Sequence, residues 1–339
     1  MTSWLARGAN WKNRTMSRLE SPDSARRLRI LVWHVHGNYL YSLTQAPHDF
    51  YVPQSDNGRP GYGALGRKIP WGGNVHPVPA NQVRDLDLDA VVYQSAHNLA
   101  DAPMLLSPAQ RRLPCAYIEH NPPAPLAAET VHPFRHEHGL LVHVTPYNAV
   151  MWDAGGMPQR VVEHGMPDPG LLYRGDLARG IVVVNHLMHR GRRVGADLYT
   201  QAAASVPLDL IGMGSEDTEG GLGEIANMEV AAFIGRYRFF FSPVRYASLG
   251  LSLVEAMLSG VPVVGFAATE LPCVISSGRD GYVDTRPARL HAVMRQLLHE
   301  PALAREWGLA GRRTALARFS IDRFVADWNQ VYATLTEAS

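Results

Sequence analysis

Apolar and polar positions fall into a repeating rhythm along this chain. Short apolar runs bounded by turn residues recur at LRILVWHVH (28–36), AVVYQS (90–95), CAYIEH (115–120), LLVHVT (140–145) and RVVEHGM (160–166). They are apolar on both faces, and segments of helical length separate them, which predicts a parallel sheet covered by helices on both sides. A turn-rich patch, MPDPGLLYRGDLARG (166–180), interrupts the rhythm and is the expected linker. The rhythm restarts at IVVVNH (181–186), LDLIGMG (208–214), YRFFFSP (237–243), VPVVGF (261–266) and GYVDT (281–285), and the tail reads as two or three helices. The expected fold class is α/β, with two doubly wound Rossmann-like domains facing across a cleft. Residues 1–27 read as a loosely ordered lead-in, 28–168 as the first domain, 176–320 as the second, and 321–339 as a final helix crossing back to the first. Ligands of such sheets bind at the carboxyl ends of the strands and between the domains.

Composition narrows the field. With 339 residues, two domains are the better expectation than one core. A net charge of +1 supplies no field for holding a nucleic-acid backbone, so no nucleic-acid partner is expected. The two cysteines, Cys115 and Cys273, are far apart and form no CxxC, which gives neither a disulfide frame nor a zinc site. No apolar run approaches the length of a membrane span, and the first residues lack the core of a secretory signal. Trp4, Leu5, Trp11 and the arginines among them suit a peripheral membrane contact.

The densest chemistry lies in FFFSPVRYASLGLSLVEAMLSGVPVVGF (239–266). The strand ends at Pro243, a loop runs to Gly250, and a helix is expected to start near Ser252. Leu253, Ala256 and Met257 are spaced to face the core, with Glu255 on another side. Unpaired N–H groups at Gly250, Leu251 and Ser252, together with the helix dipole, suit a phosphate. Gly250 lets a ligand approach the backbone. A carboxylate just beyond can accept hydrogen bonds from a vicinal diol such as a ribose. The plainer alternative is an acid favoured in a first helical turn.

SLGLSLVEAMLSGVPVVG resembles the donor-binding motif of GT-B glycosyltransferases, in particular retaining family 4. Pro243, Gly250, Leu251, Glu255, Ala256, Met257, Gly260, Pro262, Val263 and Val264 match that pattern. Glu255 matches the second of two family glutamates, which holds the nucleotide ribose; the first, which contacts the transferred sugar, falls on Ala247. IVVVNHLMHRGRRVGADLYTQAA resembles the segment where the family holds the diphosphate. The family arginine falls on His186, and Arg190, Arg192 and Arg193 stand nearby. CAYIEHNPP puts His120 where many members carry a histidine near the reacting sugar. WHVHGNY resembles the family's glycine loop through Gly37, with Asn38 beside it on the acceptor side. VVEHGMPD sits at the family's turn ending the first domain. The resemblance implies a nucleotide-sugar donor, a glycan or lipid-linked acceptor, retention, no metal and no cofactor. It also implies work in surface polysaccharide or lipopolysaccharide synthesis, in the cytoplasm at the inner face of the membrane. His36 and His120 are the expected reacting-side residues; Arg190, Arg193, His186 and the 250–255 unit are the donor side.

Other groups weigh less. His132, His136, His138 and His143 lack a tight metal-binding spacing. His34 and His36 are expected on one face at the end of the first strand. Asp85, Asp87 and Asp89 precede a strand and are expected to alternate toward solvent. Two rival functions stay open: a nucleotide-sugar epimerase on the same fold, and a non-catalytic protein of this fold that binds nucleotide or glycan as a scaffold.

Overall fold

The structure, a computed structural model, describes residues 26–56, 58–66 and 69–337. The readings on the lead-in lie outside the described residues, save at Arg26 and Arg27. The first unit runs β1 (Arg29–Val32), α1 (Gly37–Leu43), β2 (Asp49–Gln54), β3 (Val75–Pro79), β4 (Ala90–Tyr93), α2 (Ala96–Leu105), β5 (Cys115–Glu119), β6 (Gly139–His143), α3 (Pro146–Met151) and β7 (Gln159–Val161). These strands form one parallel sheet in the order β3-β2-β1-β4-β5-β6-β7. Every residue of β4, β5 and β6 is buried, as strands covered on both faces require.

The second unit runs β8 (Leu177–Val183), α4 (Leu187–Arg190), α5 (Ala196–Ala203), β9 (Leu208–Ile211), α6 (Asn227–Ile234), β10 (Tyr237–Ser242), α7 (Leu251–Leu258), β11 (Val263–Phe266), α8 (Leu271–Val274), β12 (Tyr282–Asp284), α9 (Pro287–His299) and α10 (Pro301–Arg318). Its parallel sheet has the order β12-β11-β10-β8-β9. Strand order reverses between β1 and β4 in one sheet and between β8 and β10 in the other. Those are the switch points where doubly wound sheets open a crevice at their carboxyl ends.

A last helix, α11 (Ile321–Glu337), leaves the second unit and packs on the first. Phe324, Trp328, Val331 and Leu335 recur at helical spacing and share one core with Ile30, Leu40, Leu43 and Phe50. Tyr39 of α1 meets Phe324 edge-on at 5.5 Å.

Several expectations shift. The apolar run 28–36 pairs as a strand only to Val32, so His34 and His36 stand in the loop after β1, with His36 capping α1. The patch 166–180, between β7 and β8, is held to the second unit: the Leu172 and Tyr173 amides donate to the Ser259 carbonyl, and its last residues from Leu177 belong to β8. Asp85 and Asp87 are exposed as expected, but Asp89 is turned in, because it takes the Arg29 amide and guanidinium as well as Arg26. α7 is buried all round from Leu253 to Leu258, and Glu255 reaches the open only at the cleft between the units. Among the described residues no helix is long and apolar enough to cross a membrane.

Candidate functional site

The carboxyl ends of β8 and β10 and the loop after β1 converge on one cleft. It has two adjoining lobes that share Val183, Asn185 and Ser252. The smaller, of about 230 Å³, is bounded by Arg190, Ser242, Ala247, Ser248, Gly250 and Thr269, with apolar residues behind. The larger, of about 400 Å³, lies between the units. His36, Gly37 and Asn38 of the first face Asn227, Leu251 and Glu255 of the second.

Helix α7 places the groups that the sequence reading expected on the donor side. Its cap, Gly250, has φ −74°, an ordinary value. A methyl group there would meet only Ser252 Oγ at 3.7 Å. Neither strain nor crowding by the protein demands glycine, so what it leaves free is space at the cleft. Glu255 is the fifth residue of α7, past the first turn, which removes the plain helix-start explanation for it. It is 9% exposed and, among the described residues, has no ion-pair partner. Burial alone pushes its carboxyl up to about 7.

Arg190 borders the smaller lobe, its Nη1 3.4 Å from the Asn185 carbonyl. Burial and the neighbouring Arg193 both lower its pKa, so an anion beside it would be welcome. Arg193 lies outside both linings; its Nε donates to the Tyr246 carbonyl at 2.9 Å and so braces the 243–250 loop. His186 also lies outside them. It sits in the left-handed region at φ 52°, with its amide bonded to the Met213 carbonyl. Arg192 is engaged with Asp197.

Across the cleft His120 and His164 gather around Tyr39, and His36 meets His120 edge-on. The His36 and His120 rings are 4.4 Å apart, and Tyr39 meets His120 edge-on at 4.7 Å. His120 Nε2 lies 3.1 Å from Gln94 Oε1, and Gln94 in turn donates to the Trp33 carbonyl. Burial lowers the pKa of His36, with Arg190 adding to it, and holds His120 well below its usual value. Both are therefore neutral at neutral pH. His36 reaches the cleft itself; His120 stands behind it. His164 lies below, its Nε2 2.9 Å from the Leu249 carbonyl.

The histidine tract disperses. His132 pairs with Glu119, His143 with Gln159, and His136 with the Arg111 carbonyl. Among the described residues no group of three or more His, Cys, Asp or Glu gathers to hold a metal ion. Asn185, Asn148, Thr269 and His164 were not singled out from sequence; Ser248 was read there as a substitute for the glutamate missing at Ala247, and it borders the smaller lobe. Asn185, within IVVVNH, and His164, within VVEHGMPD, lie in quoted motifs; Asn148 and Thr269 lie in none.

The arrangement of two facing doubly wound units, closed by a helix that returns to the first, defines a GT-B protein. The fold of a sucrose-phosphate synthase from Thermosynechococcus elongatus matches with a TM-score of 0.70 at 17% identity, over 92% of this chain and all of that one. That of Anabaena HepE in complex with UDP and glucose matches with a TM-score of 0.65 at 13% identity, over 91% of this chain and all of that one. In sequence, residues 221–314 match the family glycosyl transferases group 1. An MMP alpha-(1->4)-mannosyltransferase of Mycolicibacterium hassiacum is 29% identical over 160 residues, 44% of this chain and 39% of that protein. An N-acetyl-alpha-D-glucosaminyl L-malate synthase of Bacillus anthracis is 34% identical over 89 residues, 25% of this chain and 23% of that protein. The chain spans about two-fifths or less of the length of these curated relatives.

Proposed function

We propose that this chain is a glycosyltransferase that moves a sugar from a nucleotide-sugar donor to a glycan or lipid-linked acceptor. One observation carries the reading: a helix start, an arginine and a buried, unpartnered carboxylate meet in one cleft between two facing sheets. The match to glycosyl transferases group 1 covers that helix and supports it. In this reading the first N–H groups of α7 and the Arg190 guanidinium take the negative charge that develops on the leaving diphosphate. They are fixed donors, so little reorganisation accompanies the reaction. Glu255 accepts hydrogen bonds from the ribose hydroxyls. His36 and His120, with Gly37 and Asn38, shape the sugar and acceptor side. Arg193 and His186 support the donor side from outside the lining. The transfer runs without a metal ion, since Arg190 and the helix carry the charge. Retention, the family 4 assignment, a place in surface polysaccharide or lipopolysaccharide synthesis, and a cytoplasmic location at the membrane face belong to the same proposal and rest on resemblance.

The test is a hydrolysis and binding screen of the full chain with UDP-, GDP- and dTDP-sugars. Release of nucleoside diphosphate from one donor class is expected. Ala247, at the smaller lobe where the resemblance places a glutamate, favours one second reading, a protein that binds the nucleotide without turning it over. Binding without release would select that reading. No binding by any nucleotide at millimolar levels would overturn both.

A further inference from the structure

The loop Pro243–Gly250 leads from β10 into α7, and its two halves are held from different sides. The Arg245 and Tyr246 amides donate to the Arg193 carbonyl at 3.1 and 3.0 Å, within the second unit. Beyond them the holding groups come from the first unit. Asn148 Nδ2 donates to Ser248 Oγ at 2.6 Å, His164 Nε2 faces the Leu249 carbonyl at 2.9 Å, and the Tyr246 hydroxyl donates to the Pro123 carbonyl at 2.9 Å. We propose that His164 and Asn148 are positioning residues for the nucleotide site: from the opposite unit they fix the loop that sets the first turn of α7. The word nucleotide rests on the function proposed above; the clamp itself rests on the geometry.

A carbonyl only accepts, so His164 Nε2 carries the proton, and Nδ1 is bare, buried and without a hydrogen-bond partner among the described residues. The ring is thus committed to a single bond, and it spans 85 positions of sequence to make it. Asn148 is itself fully buried, and its own amide is capped by Thr145 Oγ1 at 3.1 Å. Buried polar side chains destabilise unless they are bonded, and here their bonds are spent on two consecutive loop residues. Leu249 precedes Gly250, whose carbonyl already accepts the Leu253 amide at 3.1 Å. A shift at Leu249 is therefore passed directly to the helix start. Separation of the two units would release the same loop, so the clamp ties nucleotide affinity to their closure.

Amide hydrogen exchange of the full chain without ligand, followed by titration with UDP, GDP and dTDP, tests this. In His164→Leu, amides of 245–253 are expected to exchange faster, while those of β4 and β8 stay as in the parent. Affinity for the nucleotide that binds falls about tenfold, the scale of one buried bond lost. Asn148→Ala is expected to give the same local signature. His164→Gln keeps an N–H at similar reach and is expected to restore exchange and affinity together. Unchanged loop exchange in His164→Leu, or a loss spread over both sheets that glutamine does not repair, would overturn the proposal. If the parent binds none of the three nucleotides, the donor-site reading fails, and the exchange result still decides the clamp.

Discussion

Glu255→Gln separates what the carboxylate does for the site from what it does to the fold. The parent carboxyl is buried without a counter-ion, which raises its pKa from an ordinary 4.5 to about 7. The unfolded chain loses that proton near 4.5, and the folded chain keeps it to about 7. Across that window the folded state binds more protons, so its stability falls as pH rises, and the loss is complete above pH 7. At about 1.36 kcal/mol per pH unit the full loss is about 3 kcal/mol. Glutamine fills the same volume without a charge to desolvate. The variant is therefore expected to be more stable than the parent at pH 8 by up to about 3 kcal/mol. Its unbonded amide trims that gain. The advantage shrinks to about 1 kcal/mol at pH 5, where the folded parent is already protonated. Thermal unfolding of both proteins at pH 5 and pH 8 reads this directly. In the same variant nucleoside diphosphate affinity is expected to drop tenfold or more, because hydrogen bonds to a charged acceptor contribute roughly 1.5–3 kcal/mol. Parent affinity should climb between pH 6 and pH 8, as the carboxylate forms, while the variant stays flat. Equal stability of the two proteins at pH 8, or a difference that ignores pH, would refute the claim that Glu255 is held desolvated for a ligand.

Two further outcomes follow from the same geometry. Arg190→Ala is expected to weaken nucleoside diphosphate binding by roughly 1.5–3 kcal/mol and to spare the nucleoside, as calorimetric titration with both would read; equal losses would place Arg190 outside the diphosphate site. Trp328→Ala empties a fully buried site between α11 and the first sheet and is expected to destabilise by about 3–5 kcal/mol. Hydrogen exchange should register that loss in β1 and α1, nearly three hundred residues away in sequence.

The strand-loop-helix from β10 to α7 was legible in the sequence because local rules write it. A mostly apolar run, a proline at its end and a glycine before the next helical spacing admit few other structures, and two parallel doubly wound sheets follow from repeating that unit. Apolar pattern, however, reports burial and not pairing. Trp33 is buried because it stacks on Tyr93 at 5.4 Å, not because it sits in the ladder, and so the run 28–36 overshot β1 by four residues. Alternation turned Asp89 toward solvent, whereas Arg29, at the start of the neighbouring strand β1, drew it in. Spacing offered Arg190 and Arg193 as equals; only the packed loop decided that one borders the cleft while the other braces Tyr246. The charge state of Glu255 was likewise undecided along the chain. A helix position fixes where a carboxylate starts, but its free energy depends on how much water its neighbours exclude, and those neighbours are assembled from both units. His164 and Asn148 show the same limit most plainly, since a bond to a loop carbonyl or hydroxyl 85 or 100 positions away leaves no local pattern and exists only once the two sheets have met.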